Sequence, residues 1–296
     1  FQAITKTRMA TAARPGSIPP GGHRRGRGGA VIDLHCHLLP GIDDGAADEA
    51  VSLEMARIAV ADGIRTTACT PHIYPGFYEN DRAGIEARVA TLQRRLDEEG
   101  IALGLTFGAD AHLTPALLGR VRAKTAPTIA GGRYLLVEPS HTVATPRFAE
   151  TVFEFVAAGY VPVITHPERL AWIESHYATF AALVRGGAWM QLTAGSLAGR
   201  FGRTAQRFGQ RMLGDGLVHI LATDAHGTRH RAPLLAEGRR AAERYVGAEE
   251  ARRLVVERPQ AILDDRPPAE VAPVPALREG FVAPGRGLFA RLFGRG

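Results

Sequence analysis

Residues 33–45 read DLHCHLLPGIDDG, which sets His35 and His37 two apart and follows them with the adjacent carboxylates Asp43 and Asp44. On an extended strand, side chains at i and i+2 share a face, so the two imidazoles point the same way and Cys36 points to the other side. Imidazole and carboxylate are the donors that borderline divalent cations such as zinc, manganese and iron accept. A lone H-x-H is equally what a buried histidine pair beside a polar turn looks like, so the rest of the chain has to decide.

The same residue types recur at the ends of later apolar runs. CTPH ends one run with His72, GAD another with Asp110, and LLVEP a third with Glu138. ITHPER supplies His166, and LATDAH supplies Asp224 and His226, again two apart. Asp43 joins them from the opening loop. Any one of these could cap a helix or satisfy loop amides. Nine together exceed the needs of a single four-coordinate ion and would hold two or three cations bridged by at least one carboxylate. Such a site acidifies bound water and clamps the attacking and leaving oxygens of an in-line displacement at an anionic ester or anhydride. A phosphoryl substrate also needs fixed cationic donors, and planar guanidinium suits that role. Arg169 after HPE and Arg231 after DAHGTRH are placed for it, with Arg229 as an alternative to Arg231. Tyr74, Phe77 and Tyr78 in HIYPGFYEND are candidates either to line the rim of the site or to serve only in packing.

These residues need a scaffold that gathers distant strand ends. Seven apolar runs, AVIDLH, IRTTACT, IALGLTFGA, YLLVE, YVPVITH, WMQLTA and LVHILATDAH, alternate with helical patterns such as Asp48 to Ala61 and Arg82 to Glu99. Glycines at 63, 100 and 159 fall where the helices should stop. The alternation predicts repeated β/α units on a parallel sheet, most simply closed into a barrel whose strand ends share one rim. An open doubly wound sheet competes, but no Gly-rich dinucleotide fingerprint follows the first strand.

Of 296 residues, 45% are hydrophobic and 22% charged, which suits a globular chain with a large core and no membrane span. The net charge of +6 does not predict a nucleic-acid groove. Residues 1–29 hold six Lys and Arg and no acid, so that segment alone accounts for the +6. The segment is expected to be a disordered basic tail, without the apolar stretch of a secretory signal. The expected domain runs over 30–266, and 267–296 reads as a Pro/Gly-rich tail. Its GLFARLFGRG end is too short to span a bilayer and reads as a tail, a docking peptide or an interfacial anchor. Two cysteines in apolar runs, Cys36 and Cys69, favour reduced thiols and a cytoplasmic location. Cys36, facing away from the histidines and lacking a Gly-rich anion loop, is not expected to be a nucleophile.

Taken together, DLHCHLLPGIDDGA, CTPH, GAD, HPER, SLAGRFG and ATDAH resemble the bacterial manganese-dependent protein-tyrosine phosphatases of the polymerase-and-histidinol-phosphatase (PHP) superfamily, the branch found with capsule and exopolysaccharide genes. The resemblance covers about residues 31 to 265. It implies a distorted (β/α)7 TIM-like barrel with a trinuclear Mn2+ site, Fe or Zn being alternatives. By that resemblance His35, His37 and Asp224 with Asp110 hold one ion, Asp110, Glu138 and His166 a second, and Asp43, His72 and His226 a third. Arg169 and Arg231 match the anion-binding arginines, and a site histidine such as His226, or water, protonates the leaving phenolate. One departure is Asp110, where the family usually has Glu. The implied substrate is a tyrosine-phosphorylated protein, a bacterial tyrosine kinase of polysaccharide export. Histidinol-phosphate or another small-molecule phosphatase activity is the first alternative. A non-catalytic metal-stabilised scaffold that binds polyanions through basic tails is the second.

Overall fold

Strands and helices alternate through residues 29–283, the part of the chain described by the computed structural model. The strands are β1 (Val31–Cys36), β2 (Ile64–Cys69), β3 (His72–Ile73), β4 (Gly104–Phe107), β5 (Asp110–His112), β6 (Tyr134–Glu138), β7 (Val161–Thr165), β8 (Trp189–Thr193) and β9 (Ile220–Ala222). The helices are α1 (Glu49–Asp62), α2 (Arg82–Glu98), α3 (Leu117–Arg122), α4 (Phe148–Ala157), α5 (Ile173–Arg185), α6 (Ala194–Leu197), α7 (Gly202–Gly214), α8 (Ala236–Arg253) and α9 (Glu257–Leu263).

Every ladder is parallel, in a three-stranded sheet β1-β2-β4 and a six-stranded sheet β3-β5-β6-β7-β8-β9. All seven expected runs form strands, and two further short strands, β3 and β5, follow the second and third runs. The second run forms β2, and β3 follows it after a break at Thr70 and Pro71, where proline has no N–H for the ladder. The third forms β4 from Gly104, and β5 follows it after a break at Gly108 and Ala109. Backbone hydrogen bonds carry the pairing across the breaks: Thr70 N–H donates to Cys36 O (2.9 Å), Gly108 N–H to Cys69 O (3.0 Å) and Asp110 N–H to Pro71 O (3.1 Å). Beyond the far edge, Asp224 N–H donates to His35 O (2.8 Å) and His37 N–H to Ala225 O (2.9 Å), which brings the ends of β1 and β9 together.

The helices form for local reasons. Asp48 caps α1 by accepting from Val51 N–H, and Gly63 ends it at φ 102°, where a side chain would be strained. The α2 helix buries Ile85, Val89, Leu92 and Leu96, one stripe at helical spacing. Alternation along the strands then separates two apolar layers. Leu135, Val137, Ile164, Met190 and Leu192 join the helices in the larger core. Tyr134, Leu136, Val163, Trp189 and Ile220 form a second cluster on the opposite strand face. Continuing along that face by twos, Tyr134 and Leu136 lead to Glu138, and Trp189 leads to Gln191, so the polar site sits above the second cluster.

Residues 267–283 correct the expected tail boundary. Val271 and Val274 are buried, Ala276 N–H donates to Gly216 O (3.1 Å), and the buried Arg258 donates to Ala272 O and Pro273 O. Prolines here start two 3-10 turns, Pro268–Glu270 and Pro275–Leu277, and so give form to a segment whose composition reads as a linker. The expected disordered residues 1–28 and the GLFARLFGRG end lie outside the described residues. Among the described residues no helix is long and apolar enough to cross a membrane.

Candidate metal centre

The strand-end residues converge. His35 Nδ1 lies 3.0 Å from Gln191 Oε1; a carbonyl oxygen there requires the proton on Nδ1 and frees Nε2 as a donor atom. That Nε2 stands 3.2 Å from His37 Nε2, 3.4 Å from Asp110 Oδ2 and 3.3 Å from Asp224 Oδ1. His72 Nδ1 is 3.6 Å from both Asp110 Oδ2 and Glu138 Oε2. His166 Nε2 is 3.8 Å from Asp110 Oδ2 and from Glu138 Oε1. Several overlapping sets result, including His35 with His166 and Asp224, His35 with His37 and Asp110, and His72 with Asp110 and Glu138. Two of the positions depend on unusual backbone: His166 (φ 34°) and Asp224 (φ 50°) occupy the left-handed region, a strain that functional sites often carry.

Asp110 is fully buried, and neither carboxylate oxygen has a hydrogen-bond partner. A buried anion in that condition is costly unless a cation faces it. His72 Nδ1, His166 Nδ1 and His226 Nε2 are likewise buried without hydrogen-bond partners. An all-nitrogen-and-oxygen donor set around such a carboxylate fits manganese, iron or zinc.

The electrostatics agree. Burial alone would raise Asp110 and Asp224, yet neighbouring charge, led by His35, holds both well below the carboxylate range. Glu138, despite burial and Asp110, is lowered to about 2 by His112, His141 and His166. Burial would lower His37, but hydrogen bonds with Asp224 and Asp43 raise it to about 10. His166 and His226 are lowered to about 4, first by burial and then by Arg169 and His37 respectively. The carboxylates thus draw positive charge into the cluster, and a divalent ion would compete for the same atoms by displacing protons.

Two placements differ from expectation. Asp43 turns back into the loop: its Oδ1 accepts from Gly45 N–H (2.9 Å), and its Oδ2 from His72 N–H (3.0 Å) and His37 Nδ1 (2.7 Å). It therefore orients His37 from behind. Gly45 permits this turn, since a Cβ would stand 2.3 Å from His37 O. Asp44 instead faces the cluster, with Oδ1 3.5 Å from His72 Nε2 and 3.3 Å from His226 Nε2, in one set with His37. His141 is a residue the sequence reading missed: its Nε2 lies 3.1 Å from Glu138 Oε1. His112 Nδ1 lies 3.8 Å from Glu138 Oε2 on the other side.

Arg169 and Arg231 both reach Asp224 Oδ2, Arg231 at 2.7 Å. Phe201, from the quoted SLAGRFG motif, holds them: the Arg169 guanidinium lies 4.3 Å and that of Arg231 5.9 Å from its ring centre. Arg229 lines a separate cavity with Arg200 and His230. Around the entrance, Tyr78 stacks on His72 (5.7 Å, 14°), Tyr74 stacks on His112 (4.0 Å, 13°), and Phe77 is exposed. Cys36 is buried, directs Sγ toward Ala225 O, and has its thiol pushed up by burial, so it is no nucleophile.

Comparisons with known proteins agree with this arrangement. The family model for capsular polysaccharide synthesis, CpsB/CapC, matches residues 31–264. The chain is 39% identical over 203 residues to tyrosine-protein phosphatase YwqE of Bacillus subtilis, covering 68% of this chain and 79% of YwqE. It is 25% identical over 238 residues to tyrosine-protein phosphatase CpsB of Streptococcus agalactiae, covering 79% and 98%. A crystal structure from work on YwqE of Bacillus subtilis and CpsB of Streptococcus pneumoniae, characterised as unique metal-dependent tyrosine phosphatases, superimposes with a TM-score of 0.76 at 33% identity, covering 80% of this chain and 95% of that one. On the match over residues 31–264 and the YwqE relationship, the chain belongs to the CpsB/CapC family of capsular polysaccharide synthesis.

Proposed function

We propose that this protein is a metal-dependent protein-tyrosine phosphatase acting on a tyrosine-phosphorylated protein of capsule or exopolysaccharide synthesis, with a bacterial tyrosine kinase as the natural partner. The observation that carries the reading is the meeting of Arg169 and Arg231 at Asp224, on the edge of a buried imidazole and carboxylate cluster. Guanidinium beside divalent cations is a setting for a phosphoryl group. The reading extends to a distorted seven-unit barrel on which residues 267–283 pack, and to a cytoplasmic location, the latter supported by two free buried thiols.

His35, His37, Asp44, His72, Asp110, Glu138, His166, Asp224 and His226 would hold two or three ions, Mn2+ in our reading, with Asp43 orienting His37. Bound there, divalent ions acidify water and polarise a phosphoryl oxygen. The chain's own groups do the rest. Arg169 and Arg231 neutralise the non-bridging oxygens as charge develops, and Phe201 keeps their planes in place. Tyr74, Phe77 and Tyr78 offer aromatic faces to the substrate ring. His226 Nδ1–H donates to Asp224 O (3.0 Å) and so presents Nε2, turned toward Asp44, as a donor atom for an ion, which leaves water to protonate the leaving oxygen.

The test is hydrolysis of an aryl phosphate with and without chelator and added Mn2+, followed by a comparison of a phosphotyrosine peptide with histidinol phosphate. Chelator should abolish turnover and Mn2+ restore it, with the phosphotyrosine peptide preferred. Preference for histidinol phosphate would move the protein to small-molecule hydrolysis, and chelator-insensitive turnover would remove the metal assignment.

A further inference from the structure

The loop after β6 brings in a histidine that no strand end supplies. His141 Nε2 lies 3.1 Å from Glu138 Oε1, and its ring centre lies 4.8 Å from that of His166. Donor atoms of Glu138, His141 and His166 all fall within 4.8 Å of one another. The placement is fastened from behind. Ala171 N–H donates to His141 O (2.9 Å) and the buried Trp172 Nε1–H donates to Ser140 O (2.8 Å), which ties the loop to the segment just after the His166 turn.

We propose that His141 Nε2 is a direct ligand of the ion assigned above to Asp110, Glu138 and His166, giving that ion a second imidazole. The inference rests on the metal reading of the site. Donors bound to one first-row ion at about 2.1 Å stand about 3.0 to 3.4 Å from each other, and the His141–Glu138 separation falls inside that range. His112 does not qualify. It belongs to none of the converging sets, and its ring is stacked on Tyr74. A second imidazole favours zinc, iron and manganese over magnesium or calcium at this position, and it slows release of the ion.

The test uses the full chain loaded with Mn2+, with release to a chromogenic chelator followed in time, and the visible absorption of the Co2+-loaded protein. His141→Ala should release one metal equivalent at least about tenfold faster than the parent, leaving the other equivalents unaffected. His141→Gln keeps an N–H toward Glu138 but offers no imidazole, so it should release that equivalent as fast as the alanine variant and alter the Co2+ spectrum in the same way. Parental release and a parental Co2+ spectrum in His141→Gln would overturn the proposal and leave His141 as a residue that only orients Glu138. Parental behaviour of His141→Ala would also overturn it. His166→Ala is the reference: if it too retains every equivalent, the metal assignment itself fails, and that failure is distinct from failure at His141 alone.

Discussion

Replacing Arg169 with alanine removes one of two guanidinium groups that meet at a single oxygen of Asp224. The fold should survive the change, because Asp224 keeps Arg231 at 2.7 Å and buried Asp224 is therefore not left without a cation. The side chain is only 14% exposed and lies against Phe201, so its charge is screened little by solvent and is held in place before substrate arrives. Loss of one such preorganised donor costs about 3 kcal/mol of transition-state stabilisation, or roughly a hundredfold in kcat/KM. Lysine should restore only part of it, since a point charge cannot reproduce a bidentate contact. The assay is aryl-phosphate hydrolysis with inorganic phosphate as inhibitor and metal content measured in parallel. Phosphate affinity and turnover should fall together while metal content stays constant. If phosphate binds Arg169→Ala as tightly as the parent and turnover is unchanged, Arg169 serves only to neutralise Asp224, and the anion is held elsewhere.

The two adjacent aspartates should separate in metal stoichiometry: Asp44→Asn should lose one equivalent, whereas Asp43→Asn should retain all of them with about ten- to a hundredfold weaker affinity, as measured by chelator titration. Equal stoichiometry in both variants would contradict the placement of Asp44. Truncation after Arg266 should lower thermal stability sharply, because it strips the carbonyl acceptors of Ala272 and Pro273 from fully buried Arg258 and removes the buried side chains of Val271 and Val274. An unchanged melting temperature would restore the expected tail boundary. His219, held well below the histidine range by burial and Arg258, accepts from Met190 N–H at Nδ1. The unfolded chain takes up a proton there near pH 6.5 and the folded site does not. The stability it contributes is therefore present above about pH 6.5 and falls below it by up to about 1.4 kcal/mol per pH unit. His219→Asn should flatten that slope in urea-unfolding midpoints measured from about pH 6.5 to 4.5, and an unaltered slope would show that His219 protonates freely in the fold.

The convergence of the strand-end residues was legible because the signals that place them are local. An apolar run ends, the period of two fixes the face, and parallel β/α order puts the ends together; His35, His37, Glu138 and Asp224 all converge on that logic. Asp43 and Asp44 were not separable in this way. Both follow the same strand, and which one faces the cluster depends on a turn closed by Gly45 N–H and by His72 N–H from another unit. His141 lies further from any sequence signal, since its position comes from loop carbonyls caught by Ala171 and Trp172 of the next unit. The misplaced tail boundary has the same origin. Pro-rich composition reads as a linker, but the buried Arg258 guanidinium and Glu250 create a demand for acceptors and cover that only the fold reveals. Asp110 shows how far backbone placement reaches: its short carboxylate lies within 3.4 to 3.8 Å of His35, His72 and His166. It can do so because β5 begins at Asp110 itself, after the break at Gly108 has released the strand from the first sheet, so the backbone carries the short side chain to the centre of the cluster.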